Sequence, residues 1–194
     1  MDKSKLIARL TRIIRDEFIE QFPNIKFHDD FSVAECMLKV FNETGQHFVI
    51  LMDEYDVLVR ENVTHELLGQ YLDFLNGLFK SDTLRPAIAL AYLTGILPVI
   101  RDKVQSKLNN FDEYTILNAG KLSEFMGFTT EEVFNLCHKY NIDFEECKRW
   151  YDGYGFVWYE NGEKRECEVY NPESVVKTML NHKFGNYWNK TSSY

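Results

Sequence analysis

Two carboxylates stand side by side at Asp53 and Glu54, directly after the apolar run Phe48-Val49-Ile50-Leu51-Met52. Neighbouring acids at the end of a buried strand can divide the work of hydrolysing a phosphoanhydride. One holds a magnesium ion against the phosphate oxygens, and the next orients and deprotonates the attacking water. Asp53 is the candidate magnesium ligand, Glu54 the candidate water activator, and Asp56 a second cofactor-binding carboxylate. Thr94 closes another apolar run, Ala87–Leu93, where a polar side chain could sense the terminal phosphate. Arg60, Arg85 and Arg101 are cations that could neutralise charge on the transferred group, Arg101 first because it follows Thr94 closely. Each feature also has an ordinary structural explanation. Strands end in acids where a chain re-enters solvent, threonine is common at strand ends, and most arginines simply face water.

These residues need a sheet to position them. Phe48–Met52 and Ala87–Leu93 are apolar without alternation, which predicts strands buried on both faces in a parallel sheet. Between them Thr64 caps a helix to about Lys80, with Leu67, Leu68, Tyr71, Leu72, Leu75, Leu78 and Phe79 inward. Strand, helix and strand in this order make a crossover unit, and acids at its C-terminal edge face the crevice where ligands bind. Upstream, Leu6, Leu10, Ile13, Ile14 and Phe18 predict an amphipathic helix over 3–21, ended by Pro23. Ser32 with Glu35 makes a capping box for a second helix that Gly45 stops. A short helix over Val99–Lys107 and a third strand over Tyr114–Leu117 follow Thr94.

Beyond about residue 120 the texture changes. We read 1–120 as the α/β core and 121–194 as a small, mostly helical lobe. Thr129 with Glu132 offers another capping box, Asp143 with Glu146 starts a short helix, and Asn171-Pro172 caps a helix through Leu180. Asn161-Gly162 predicts a hairpin between Val157–Tyr159 and Cys167–Tyr170. The aromatic cluster Trp150, Tyr151, Tyr154 and Phe156 reads first as core packing.

Composition narrows the function classes. At 45% hydrophobic and 15% aromatic the chain can bury a core, so it is not a disordered segment. A net charge of −8 disfavours direct nucleic-acid binding. No apolar run approaches the ~20 residues of a membrane span, and the first residues are polar, so a cytoplasmic location is expected. Cys36, Cys137, Cys147 and Cys167 have no zinc-knuckle spacing and read as buried, reduced thiols. The histidines form no pair at metal-ligand spacing.

The segments Phe48–Arg60, Ala89–Pro98, Ser106–Asn110, Leu122–Phe128, Arg149–Tyr154, Tyr170–Pro172 and Tyr187-Trp188, in this order, carry a resemblance. The chain resembles the AAA-ATPase-like domain of bacterial proteins that often end in a PD-(D/E)XK nuclease-like domain. The resemblance implies an α/β P-loop NTPase fold, a parallel sheet with flanking helices, in which Asp53 and Glu54 are the Walker B pair. It implies Mg-ATP as the cofactor of the complete domain. The family's phosphate-binding loop lies before the region where this chain starts, and no G-x-x-x-x-G-K-[ST] occurs in the sequence. Many members also have arginine in the place of Pro98.

That loop's backbone N–H groups and lysine cradle the phosphates. Without them the chain is expected to be a partial domain, with Asp53 holding magnesium only alongside nucleotide and little ATPase activity alone. A missing central strand would leave an apolar sheet edge exposed, so self-association or pairing through that edge is expected. The alternative reading is a non-catalytic protein-interaction module derived from such a domain. A nuclease is disfavoured, because Glu163-Lys164-Arg165-Glu166 sits at a hairpin turn as solvated charge.

Overall fold

The computed structural model describes residues 5–61, 63–96 and 110–187. The chain divides into two compact units, Met1–Asp112 and Glu113–Tyr194. The predicted boundary near 120 lies slightly downstream of this division.

The first unit is mixed α/β. Helix α1 (Leu6–Gln21) precedes α2 (Val33–Thr44), which begins with the expected capping box. Ser32 Oγ accepts the Glu35 N–H at 3.2 Å, and the Glu35 carboxylate accepts the Ser32 N–H at 2.7 Å. The Ser32 hydroxyl, which donates to that carboxylate at 2.7 Å, and then the Ser32 N–H hold the Glu35 carboxyl below its usual pKa. Gly45 ends α2 in the left-handed region at φ 72°. Strand β1 (Phe48–Met52) is followed by one short helical turn, α3 (Val57–Arg60), and then α4 (His65–Phe79), capped by Thr64. Pro86 lies in a 3₁₀ turn, Arg85–Ala87, that opens into β2 (Ile88–Leu93). β1 and β2 pair in parallel, with Val49 opposite Leu90 and Leu51 opposite Tyr92.

The core of this unit lies on one side of the two strands. Val33 and Met37 of α2 join Tyr71, Leu75, Leu78 and Phe79 of α4, with Leu84 and Ala87. Phe48, Ile50, Met52, Ile88, Ala91 and Leu93 pack on it from the sheet. The other face is bare: Val49 is 58% exposed, Leu51 74%, Leu90 55% and Tyr92 49%. This corrects the expectation of strands buried on both faces. The apolar run was read properly as strand, but the described helices of the unit pack against one face alone. The predicted helix over Val99–Lys107 lies outside the described residues.

The second unit is α+β, its helices accompanied by the expected hairpin and one short further strand. Its antiparallel sheet has the order β3 (Phe128–Thr129), β5 (Glu163–Tyr170), β4 (Asp152–Glu160). β4 and β5 turn at Asn161-Gly162, where φ is 52° and 83°, the paired positive values of a type I′ hairpin. The strands run further than predicted, because polar positions such as Lys164 and Glu166 face solvent while still completing the ladder. The third strand predicted over Tyr114–Leu117 is instead a turn closed by a Thr115–Asn118 bridge, with Leu117 94% exposed.

Helices α5 (Thr130–Tyr140), α6 (Phe144–Tyr151) and α7 (Pro172–Asn181) carry the caps expected at Thr129, Asp143 and Asn171. They enclose Val133, Cys137, Cys147, Tyr151, Tyr170, Val175 and Met179. The Tyr151 hydroxyl accepts from Thr178 Oγ1 at 2.7 Å and from the Gly185 N–H at 3.0 Å. Of the aromatic cluster only Tyr151 is core; Trp150 and Tyr154 are 42% and 50% exposed. All four cysteines are free thiols. Burial pushes the Cys147 thiol up to about 12 and raises Cys137 as well, so neither forms a reactive thiolate at neutral pH. Among the described residues no helix is long and apolar enough to cross a membrane.

Gly127 is required by packing: a Cβ there would sit 2.5 Å from the Tyr170 carbonyl oxygen. Gly127→Ala should therefore destabilise the second unit by about 1–3 kcal/mol. Gly155→Ala, where a Cβ meets nothing within 4 Å, should cost little. Denaturant titration followed by tryptophan fluorescence would measure both, since Trp150, Trp158 and Trp188 all lie in this unit.

Candidate functional site

The acids lie where β1 runs out, beside the end of β2, because parallel pairing brings both C-terminal ends to one edge. Thr94 joins them. Its N–H bonds the Met52 carbonyl at 2.9 Å, and its own carbonyl accepts the Tyr55 N–H at 2.9 Å. Its hydroxyl accepts the Glu54 N–H at 3.3 Å and donates to the Asp53 carboxylate. Thr94 is thus bonded to each of the residues Met52 to Tyr55. The structure brings Asp53, Glu54 and Thr94 together as the sequence predicts.

Asp56, the second candidate cofactor-binding carboxylate, is joined to both strand-end turns. It is 2% exposed. Its Oδ2 accepts the Ile96 N–H at 3.2 Å and pairs with Arg60 Nε at 3.2 Å. A carboxylate removed from water needs such partners to remain charged. Gly95 makes this approach feasible: a Cβ would lie 2.7 Å from the Tyr55 ring and 2.8 Å from Asp56 Oδ1. Asp56 therefore ties the turn after β1 to the turn after β2.

Glu54 takes a left-handed backbone conformation, φ 51°. For a residue with a Cβ this costs about 1 kcal/mol. Its carboxylate reaches Arg60 Nη2 at 3.0 Å, so Arg60 bridges Glu54 and Asp56. Of the two candidate arginines among the described residues, Arg60 is the one the structure brings to the site. Arg85 lies exposed in the turn before β2, at the end of the strand remote from Thr94. Arg101, favoured by its nearness in sequence to Thr94, lies outside the described residues. The signal that could have singled out Arg60 is its i,i+4 spacing from Asp56, which one helical turn converts into contact.

Asp53 is the residue that would hold the magnesium implied by the family resemblance. Among the described residues no group of three or more His, Cys, Asp or Glu side chains could hold a metal ion. That excludes a cage built from the described residues. Magnesium is commonly held by one or two carboxylates together with water and substrate phosphates. Asp53, exposed and bonded to a hydroxyl, has the right chemistry for the single carboxylate.

Tyr71 of α4 supports the turn from below, donating its hydroxyl to the Tyr55 carbonyl at 2.6 Å. Burial, with smaller contributions from Asp56 and Tyr55, pushes its pKa up to about 12. A raised folded-state pKa contributes stability that is complete below the ordinary value of 10.0 and is lost as pH rises to about 12. Tyr71→Phe should cost about 1 kcal/mol at neutral pH through the lost hydrogen bond. The gap between wild type and Tyr71→Phe should then narrow from pH 10.0 to about pH 12, as denaturation at each pH would show.

Comparison with known proteins adds the following. The family model described as a predicted AAA-ATPase, AAA-ATPase-like, matches residues 1–105. Among curated proteins the chain is similar to an uncharacterized protein in the vnfD 5′ region of Azotobacter chroococcum mcd 1. The two are 28% identical over 153 residues, covering 77% of this chain and 28% of that protein. This chain therefore spans under a third of the length of that relative. No solved structure matches it.

Proposed function

We propose, for a chain that belongs to the AAA-ATPase-like family, that its first unit is the acid-bearing half of an ATP-hydrolysing site of P-loop NTPase type. The observation that carries this reading is the Asp53–Thr94 hydrogen bond, which sets a carboxylate and a hydroxyl side by side at the C-terminal ends of two parallel strands. Open α/β sheets bind ligands at that edge.

In this reading Asp53 is the residue that would hold magnesium, and Asp56 supports the loop from inside. Bound magnesium supplies charge neutralisation at the phosphates. Glu54 takes a proton from the attacking water. Thr94 holds Asp53 in place through its hydroxyl and keeps the two strand ends in register. Arg101 remains a candidate for stabilising charge in the transition state. The phosphate-binding backbone amides are not encoded in this sequence, so the site is complete only with a loop from elsewhere. ATP hydrolysis by the isolated chain is accordingly expected to be negligible.

A second reading has its own observation, the bare face of Val49, Leu51, Leu90 and Tyr92. Parallel strands ordinarily have both faces covered. As a non-catalytic interaction module, the chain would bury this face and the adjoining strand edge against a second copy of itself. Light scattering showing a clean monomer at high concentration would count against that reading.

Calorimetric titration with Mg-ATP tests the first. The wild type and Asp53→Ala should both give little heat, because neither holds the phosphate loop. Micromolar binding lost in Asp53→Ala would keep Asp53 as a ligand but overturn the half-site. Micromolar binding retained in Asp53→Ala would overturn the role of Asp53.

A further inference from the structure

Strand β4 is an open edge. The sheet order β3-β5-β4 pairs one side of β4 with β5, and among the described residues no strand pairs with the other side. Edge strands ordinarily carry lysine, proline or misplaced charge that discourages a further strand. From Gly153 to Tyr159 the sequence is Gly-Tyr-Gly-Phe-Val-Trp-Tyr, without charge or proline. Val157 and Tyr159 are 58% and 73% exposed. The acids Asp152 and Glu160 stand only at the two ends of the strand.

The hairpin fixes which backbone groups face outward. Glu160 and Glu163 flank the two-residue type I′ turn, so they exchange both of their backbone hydrogen bonds. The pattern alternates from there. Phe156 and Trp158 bond to β5, whereas the N–H and C=O groups of Gly155, Val157 and Tyr159 point away from it. The pairing with β5 is irregular between Asp152 and Tyr154, so the regular edge runs over 154–160.

A second copy of β4 fits this edge when the two strands run antiparallel about Val157. Val157 then opposes its own counterpart. Gly155 opposes the partner's Tyr159, whose ring covers the glycine. Phe156 opposes the partner's Trp158, an aromatic cross-strand pair. Tyr154 opposes the partner's Glu160, which sets a phenolic donor beside a carboxylate. Centring the pair on Phe156 would instead oppose Asp152 to the partner's Glu160, and like charges directly opposite are destabilising. Centring it on Trp158 shortens the paired stretch. Charge and length together favour one register.

We propose that β4 is a self-association surface, through which two copies of this chain join their three-stranded sheets edge to edge, paired about Val157. The surface lies in the second unit. It is separate from the bare face of β1 and β2 and independent of the reading of Asp53.

Sedimentation equilibrium of the full chain tests this. At about 0.15 M salt the long-range repulsion between two chains of net charge −8 is screened. A single strand pair lies at the low end of interface sizes, so the dimer is weak. The apparent mass should rise from 23.0 kDa toward twice that value between about 1 µM and about 1 mM chain. Val157→Lys should weaken association by about tenfold or more, since it opposes two lysines across the new pair. Within one chain that lysine lies opposite Glu166, so the hairpin itself is kept. Leu51→Lys, in the first unit, should leave association unchanged. In a mixture of isotope-labelled and unlabelled chains, a nuclear Overhauser contact should join the Phe156 Hα to the partner's Trp158 Hα, the close approach of a non-hydrogen-bonded pair.

A monomer at every concentration overturns the proposal. So does association that survives Val157→Lys but is lost in Leu51→Lys, which would assign it to the first unit. Absence of the contact between chains in a sample that does dimerise overturns the register. If Val157→Lys fails to fold, Tyr159→Lys removes the ring over Gly155 at a more exposed position, and the same weakening is expected.

Discussion

A buried carboxylate needs polar partners to offset its lost hydration, and those of Asp56 come from two separate turns. It sits at the junction of both strand ends, accepting the Ile96 N–H and pairing with Arg60. Everything nearby is arranged around this constraint. Gly95 leaves room for it, and Tyr71 holds the carbonyl of the preceding residue. The turn that results presents Asp53 to Thr94 and leaves Glu54 in the left-handed region. The residues with chemistry are exposed, but their positions are set by one acid that solvent barely reaches.

The second unit is built on a comparable economy. Local signals start its helices: a Thr129–Glu132 capping box, Asp143, and Asn171 before Pro172. Long-range packing then centres on Tyr151, whose hydroxyl binds Thr178 and Gly185. Of its exposed hairpin aromatics, Tyr159 lies opposite Lys164 and Tyr154 opposite Val169. Membership of the AAA-ATPase-like family rests on residues 1–105, so it speaks mainly for the first unit.

Much of this was legible in the sequence where the determinant is local. Ser32 with Glu35 and Asn161-Gly162 act within a few residues, and the structure has the cap and the turn they imply. Asp53, Glu54 and Thr94 were legible because strand ends are marked by the change from apolar to polar. What depended on tertiary environment was not. The Phe48–Met52 run contains no signal for which face a helix will cover, and one face proved bare. Nothing in the neighbours of Asp56 announces its burial. Arg60 is one of three candidate arginines in the sequence, and it is the helical turn after Asp56 that brings it into contact.

The claim that Asp56 holds the two strand ends together is open to a direct measurement, amide hydrogen exchange of the wild-type chain resolved at Tyr55 and Ile96. The Ile96 side chain is 72% exposed, so protection of its amide would report the bond to the Asp56 carboxylate. The account predicts that both amides exchange slowly, at rates comparable to those within β1. Exchange of both at the rate of an unstructured chain, with β1 itself protected, would contradict it.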